Sequence, residues 1–273
     1  MRTLILILFI GVLFSSKGQS LSYGGPVSLS MSSIRSFDQS AWAVYGNISS
    51  LATIENLTVG AAYELRFNME ELSSRAITGI WPTKYGAFSL LIFQSGYSKS
   101  NFNRYAIAYS RAFGEKVQAG FQLNYLSHHL YQADNTASYF STFSLTVHAS
   151  SAISFAINIQ NVEQANLSYD VEQYKLPTLF NGGIQWKSGN RFRIVLEMEK
   201  ELDLEIVYKT GMELNFNDQV QIRGGVKSQP VELSVGSGVK WKGVSIDAAI
   251  AHHQQLGITS GVGLSYAFQI KKN

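Results

Sequence analysis

Residues 204–241 set the tightest limit on what this chain can fold into. Leu204, Ile206, Tyr208, Met212, Leu214 and Phe216 alternate with Glu205, Val207, Lys209, Gly211, Glu213 and Asn215. Asn217 and Asp218 mark a turn, after which Val220, Ile222 and Val226 share one parity and Gln219, Gln221, Arg223 and Lys227 the other. A third run sets Val231, Leu233, Val235, Val239 and Trp241 against Glu232, Ser234, Gly236, Gly238 and Lys240. Successive side chains of a strand point to opposite faces, so three consecutive two-faced strands need a greasy solvent on one side and a polar one on the other.

A membrane barrel supplies both. Only 15% of the residues are charged, against about 25% in an ordinary soluble domain. The mean hydropathy, near zero, is nevertheless too low for a bundle of membrane helices. The absence of cysteine excludes disulfide frameworks, thiol catalysis and thiolate metal sites. A net charge of +3 without a basic cluster gives no reason to expect nucleic acid. No cofactor is implied.

Residues 1–20 read as a cleaved export signal: Arg2, an apolar run from Leu4 to Phe14, then a small and polar exit. Residues 21–54 read as an N-terminal segment. Within it, residues 37–51 carry Trp42, Val44, Tyr45 and Ile48 behind Asp38 as N-cap, which predicts a short amphipathic helix plugging or covering a barrel mouth.

Residues 55–273 contain fourteen candidate strands, at 55–67, 74–82, 85–96, 102–113, 116–130, 138–149, 152–161, 177–187, 190–200, 204–216, 219–228, 230–241, 244–253 and 258–270. Most are long enough for a tilted transmembrane strand of about 9–11 residues. The expected fold is an all-β, fourteen-stranded antiparallel transmembrane barrel with a short helical plug. If the weakest strands, 74–82 and 244–253, did not form, twelve would remain. Links after even strands are tight, as at Gly114-Glu115 and Lys242-Gly243, whereas those after odd strands, such as 68–73, 97–101 and 162–176, are longer. Bacterial outer-membrane barrels sort their connections this way, with the tight turns periplasmic. Trp81, Phe113, Trp186, Phe216, Trp241 and Phe268 end strands on that same rim, as an interfacial girdle would.

Parity places Arg191, Arg193, Glu197, Glu199, Glu205, Lys209, Glu213, Arg223, Lys227, Glu232, Lys240 and Asp247 on the lumen face. An outward Lys or Arg near the bilayer midplane would cost about 2–4 kcal/mol. The balanced signs favour a ladder of cross-strand ion pairs over a selective channel ring. Residues 76–81 and 87–93 are apolar on both parities, so the wall near Trp81, Pro82, Leu91 and Phe93 needs something greasy inside as well as outside. The candidates are the N-terminal segment, a hydrophobic ligand or a partner's peptide. Pro82 is expected to interrupt pairing. His128, His129, His252 and His253, with Asp134 nearby, have no spacing that fixes a catalytic or metal geometry.

The order of these features resembles the FadL-like fourteen-stranded outer-membrane barrels and, within them, the PorV/PorQ group of type IX protein secretion. The carrying residues are 41–52 (AWAVYGNISSLA), with Trp42, Asn47, Leu51 and Ala52, which are similar to the group's NPAGLA helix. Further carriers are 62–67 (AYELRF) with Glu71-Leu72, and 105–113 (YAIAYSRAF). Where that helix has Pro, Ala and Gly, this chain has Ile48, Ser49 and Ser50. The resemblance implies a non-enzymatic barrel in the outer membrane of a diderm bacterium, in contact with lipid and binding secretion-system proteins or secreted cargo. The alternative it implies is a channel for small hydrophobic compounds with a lateral opening near the second and third strands.

Overall fold

The computed structural model describes residues 23–131, 135–169, 173–217 and 219–268. The expected export signal lies outside them, as do Asp134, Asp218 and the last residues of the final expected strand. In chain order the barrel strands are β1 (Thr58–Leu65), β2 (Ser74–Thr83), β3 (Gly86–Tyr97), β4 (Ser100–Phe113), β5 (Val117–Leu130), β6 (Thr136–His148) and β7 (Ile153–Gln160). A small hairpin, β8 (Asn166–Ser168) and β9 (Gln173–Lys175), interrupts the series. The barrel resumes with β10 (Leu179–Ser188), β11 (Phe192–Glu201), β12 (Ile206–Asn215), β13 (Val220–Lys227), β14 (Glu232–Trp241), β15 (Val244–His253) and β16 (Gly257–Ala267). Each strand pairs antiparallel with its neighbours, and β1 closes on β16 to give a fourteen-stranded barrel with β8 and β9 as a separate hairpin. Both strands with the weakest sequence signal, β2 and β15, are part of the wall.

Alternation decides the two surfaces. Ile77, Ile107, Met212, Leu233 and Val262 stand on the outer wall, all more than half exposed. A continuous apolar exterior of this kind is the surface of a transmembrane barrel. Trp81, Phe113, Trp186, Phe216, Trp241 and Phe268 are exposed at the rim that carries the short turns. Toward the opposite rim Tyr105, Tyr125 and Tyr139 pack as tilted rings across adjacent strands at 6.2 and 5.0 Å, a second aromatic band.

Loop sorting is weaker than the sequence suggests. The expected loop at 97–101 is absent: β3 and β4 pair out to Tyr97 and Ser100, leaving a tight turn of Ser98 and Lys99. The asymmetry rests on residues 66–73 and, above all, 161–178. Orientation is therefore worth measuring directly. With the short turns periplasmic, a membrane-impermeant maleimide should label Lys99→Cys and Gln255→Cys on intact cells, but Glu115→Cys and Lys242→Cys only after permeabilisation. The opposite pattern would invert the barrel.

Pro82 does not interrupt β2. Its rung pairs with Ala87 of β3, while β1 reaches only as far as Ile80 on the other side. The missing N–H thus falls beyond the end of β1 and forfeits no ladder bond.

The N-terminal segment lies inside the lumen and does not form the single helix expected over 37–51. Gly25–Leu29 is a short α-helix (α1), and two 3-10 turns follow at Ala41–Tyr45 and Ile48–Thr53. Gly46 separates the two turns, and each has its own cap. The Ser40 hydroxyl accepts from Trp42 N, and Asn47 Oδ1 accepts from Ser49 N, both at 3.2 Å. Asp38 instead accepts from Ser40 N at 2.8 Å, two residues too early to cap the turn. Burial pushes its carboxyl above the ordinary aspartate range, a shift that the Ser40 hydrogen bonds reduce. Val27, Met31, Ile34, Trp42, Val44, Tyr45, Ile48 and Leu51 form the core with inward residues of the wall.

Candidate functional site

An irregular segment buried in a barrel must find partners for its backbone groups in the wall. Much of the charge ladder performs that task. Glu197 Oε2 accepts from Arg35 N (2.9 Å), Ser36 N (2.8 Å) and the Ser36 hydroxyl (2.5 Å). Lys209 donates to the Ser33 carbonyl at 2.9 Å, and Arg193 to the Phe37 carbonyl at 2.7 Å. The Arg35 guanidinium pairs with Glu199. On the opposite wall Ile48 N donates to the Ser144 hydroxyl at 3.1 Å, Asn47 Nδ2 to Thr146 at 2.8 Å, and Gln122 to the Val44 carbonyl at 3.0 Å. The plug is hydrogen-bonded to the wall on both sides.

The ladder also pairs with itself across strands. Lys209 contacts Glu197 and Glu199 at 3.2 and 2.9 Å, Arg193 contacts Glu213 at 3.0 Å, and Lys227 contacts Glu232 at 3.1 Å. Arg223 bridges Glu213 at 2.7 Å and Asp247 at 2.8 Å. The second bridge crosses β14 at Gly238, where a Cβ would stand 2.6 Å from the Asp247 carboxylate. Two of the expected members are elsewhere. Arg191 is exposed in the turn before β11, and Glu205 is exposed ahead of β12. Lys240 keeps the inward parity but is exposed at the turn-side mouth. For Arg191 and Glu205 alternation was carried past the strand ends, where the chain leaves the ladder.

Inward glycines mark where the plug touches the wall. A Cβ on Gly120 would lie 2.7 Å from the Ile48 carbonyl carbon, one on Gly225 2.5 Å from that of Met31, and one on Gly183 2.9 Å from Ser36 Cβ. The Trp42 ring lies over both Gly60 of β1 and Gly263 of β16, the strand pair that closes the barrel. Asn47 donates to the Ser36 carbonyl within the plug at 2.5 Å and to Thr146 of the wall. Leu51 is fully buried and Ala52 half-buried.

Trp81, Pro82, Leu91 and Phe93 do not form one site. Trp81 faces outward, Pro82 sits beside the turn after β2, and Leu91 and Phe93 point into the lumen. The greasy filling against Phe93 is the plug, because Tyr23 packs tilted against its ring at 5.0 Å and Tyr45 edge-on at 6.0 Å. The wall there is unbroken, with β2–β3 and β3–β4 pairing continuously from Thr83 to Ser74 and from Tyr97 to Ala87. No lateral opening exists at the second and third strands in this conformation.

Two polar cavities flank the plug. One of about 370 Å³ at the turn-side mouth is lined by Asp38, Arg193, Glu213, Arg223, Lys240 and Asp247, among others. Another of about 380 Å³ on the loop side touches Arg35, Glu64, Arg66, Lys209, Lys227 and Glu232.

Sequence reasoning missed the apolar cluster under the 161–178 loop. Leu126, Phe140, Leu167 and Leu176 are buried together, with Phe102, Ala165, Tyr169 and Tyr174 packed around them. His128 ties wall to hairpin, with one ring nitrogen 2.5 Å from the Tyr169 hydroxyl and the other 3.0 Å from Ser100. His129 bonds Asn135, and His253 accepts from Gln255 N and Leu256 N, so these rings hold loops in place. Beneath the cluster Arg104 is buried, its guanidinium bonded to Asn124 (2.9 Å) and Gln122 (3.1 Å) and lying over the Phe140 ring.

No family model matches the sequence, and no curated protein matches it. Solved structures do resemble the fold. The CymD monoaromatic hydrocarbon channel aligns with a TM-score of 0.71 at 14% identity, over 92% of this chain and 99% of that one. The Ralstonia pickettii toluene transporter TbuX aligns at 0.71 and 13% identity, over 91% and 99%. A Pseudomonas aeruginosa FadL homologue aligns at 0.65 and 8% identity, over 90% and 98%. Identities this low speak for architecture alone, and nothing in them singles out the PorV/PorQ group. The closed, fourteen-stranded antiparallel barrel of this chain is the fold of the FadL-like barrels.

Proposed function

We propose that the chain is an outer-membrane barrel that passes small hydrophobic compounds and holds back ions and polar solutes. The observation that carries this reading is the pairing of a filled lumen with an apolar patch at the loop-side mouth. The plug ties up the polar lining that a water-filled pore would need. Leu126, Phe140, Leu167 and Leu176, with Phe102 packed against them, meanwhile form a buried apolar cluster that a small apolar molecule would enter by displacing side-chain contacts. The likeness of fold to the toluene transporter TbuX and the CymD hydrocarbon channel supports the same substrate class.

A protein-binding role in type IX secretion rests on the likeness at 41–52. Trp42, Asn47 and Leu51 are buried and occupied in seating the plug, which accounts for them without a partner. The deciding experiment is accumulation of radiolabelled toluene by cells that lack their own hydrocarbon channel. Expression of the chain should raise the initial rate several-fold while leaving uptake of a small sugar unchanged. No rise in toluene uptake, together with recovery of a secretion component on pull-down from detergent extracts, would reverse the assignment.

A further inference from the structure

We infer that the cavity at the turn-side mouth binds a small zwitterion, a molecule carrying both an ammonium and a carboxylate, as a free amino acid or a short peptide does. The inference goes beyond hydrophobic uptake and does not depend on it.

The cavity, about 370 Å³, sets the cations Lys187, Arg193, Arg223 and Lys240 around the anions Asp38, Glu213 and Asp247. Most of this charge is already paired. Arg223 is held by Glu213 and Asp247, and Arg193 by Glu213 and the Phe37 carbonyl. What remains is one acid and two lysines. Asp38 is 3% exposed, and its Oδ1 accepts from Ser40 N, while Oδ2 is buried without a hydrogen-bond partner. Asn215 on the wall repeats the pattern. Its amide nitrogen donates to the Asn190 carbonyl at 2.7 Å, and its Oδ1 is buried without a donor. Lys187 reaches the Gln39 amide oxygen at 3.4 Å, and Lys240 stands exposed at the mouth with no acidic partner among the described residues.

Spare acceptors and spare donors define the ligand. A carboxylate oxygen and an amide oxygen shut away from bulk water call for N–H or O–H donors, and an ammonium brings three. Lys187 and Lys240 are charge-assisted donors for a carboxylate. A simple anion would meet Asp38, and a simple cation would meet the lysines and arginines. A molecule bearing both charges can turn each toward its complement. Val27, Ala41 and Ile54 of the plug line the same cavity, so its inner wall is the plug and its entrance is the turn-side mouth. With the turns periplasmic, the ligand arrives from the periplasm and does not pass through the barrel. Asp38 belongs to the plug, whereas Lys187 and Lys240 belong to β10 and β14, so a bound zwitterion ties plug to wall.

Titration calorimetry on the full chain in detergent tests the site, with glycylglycine as the probe. N-acetylglycylglycine, which lacks the ammonium, and glycylglycinamide, which lacks the carboxylate, should each bind about ten-fold more weakly, the weight of one charge-assisted contact. Alanine run in parallel distinguishes a free amino acid from a peptide as the source, and binding of either supports the site. Lys240→Gln, at an exposed position, should weaken glycylglycine several-fold and leave glycylglycinamide unchanged. Asp38→Asn should weaken glycylglycine and leave N-acetylglycylglycine unchanged. Lys227→Gln, which alters the loop-side cavity, should change none of them. Three results would overturn the inference: equal binding of all three peptides, no binding of glycylglycine or alanine (a cavity that holds water only), or binding lost in Lys227→Gln and kept in Lys240→Gln.

Discussion

Glu197→Ala is expected to be the most damaging single substitution in the lumen, lowering stability by about 3–5 kcal/mol, the usual cost of removing one member of a buried ion pair. The carboxylate holds two plug amides, the Ser36 hydroxyl and the Lys209 ammonium, whose side chain is 1% exposed. Its loss strands the Arg35 and Ser36 amides and the Ser36 hydroxyl, and each stranded group costs about 1–3 kcal/mol. Glu199 still contacts Lys209, so the penalties will not simply add. Glu197→Gln keeps an acceptor without the charge and should fall between. Two readouts check this. Urea unfolding in detergent gives the stability, and planar-bilayer recording gives the plug's position. The native barrel should be electrically quiet, and the alanine variant should show ion-conducting openings as the segment around Arg35 and Ser36 comes loose. A variant as stable and as silent as the native protein would mean that the plug is held elsewhere.

The second large effect is expected from Gly225→Val. The nearest atoms to a new Cβ are Met31 carbonyl carbon at 2.5 Å and Cα at 2.8 Å, both plug backbone, which cannot rotate away. Overpacking a filled interior costs about 1–3 kcal/mol when side chains can adjust, and the cost here should exceed that range because backbone must move. The neighbouring residue provides the control. Gly224 faces outward, and its added Cβ would have only the Ser234 carbonyl oxygen nearby, at 3.7 Å. Gly224→Val should be neutral or slightly stabilising, since a β-branched side chain suits a strand. Gly183→Val against Gly182→Val repeats the comparison on β10, where Ser36 lies 2.9 Å from the first position and nothing lies within 4 Å of the second. Equal effects within either pair would show that the glycines are not seats for the plug.

The barrel itself was legible in the sequence because lipid and lumen force a period of two on every wall strand, and β12 to β14 follow it with few exceptions. Orientation of the charges was legible for the same reason, apart from Arg191 and Glu205 beyond the strand ends. The plug was legible only as an apolar segment, since its path follows partners that lie far along the chain: Arg35 N reaches Glu197, and Ser32 N reaches Ser234. A usable signal was nevertheless present. Gly120, Gly211, Gly225 and Gly236 occupy inward positions where a polar side chain would otherwise serve, and such gaps in a lumen face announce that something solid fills it. The cluster under the 161–178 loop left no periodic trace, because Leu167 and Leu176 are brought together by a short hairpin and not by a repeating pattern.

Trp42 over Gly60 and Gly263 has a consequence for how the molecule comes into being. These glycines lie on the first and last strands, which meet only when the sheet curls shut. The indole therefore gains its packing at the moment of closure and works as an internal rivet, drawing together the two ends of the wall. Because the rivet is carried by the earliest part of the described chain, a barrel that closed empty would have to reopen to take it in. The wall must be wrapped around its plug, and a chain shortened to begin at β1 should be slow to close.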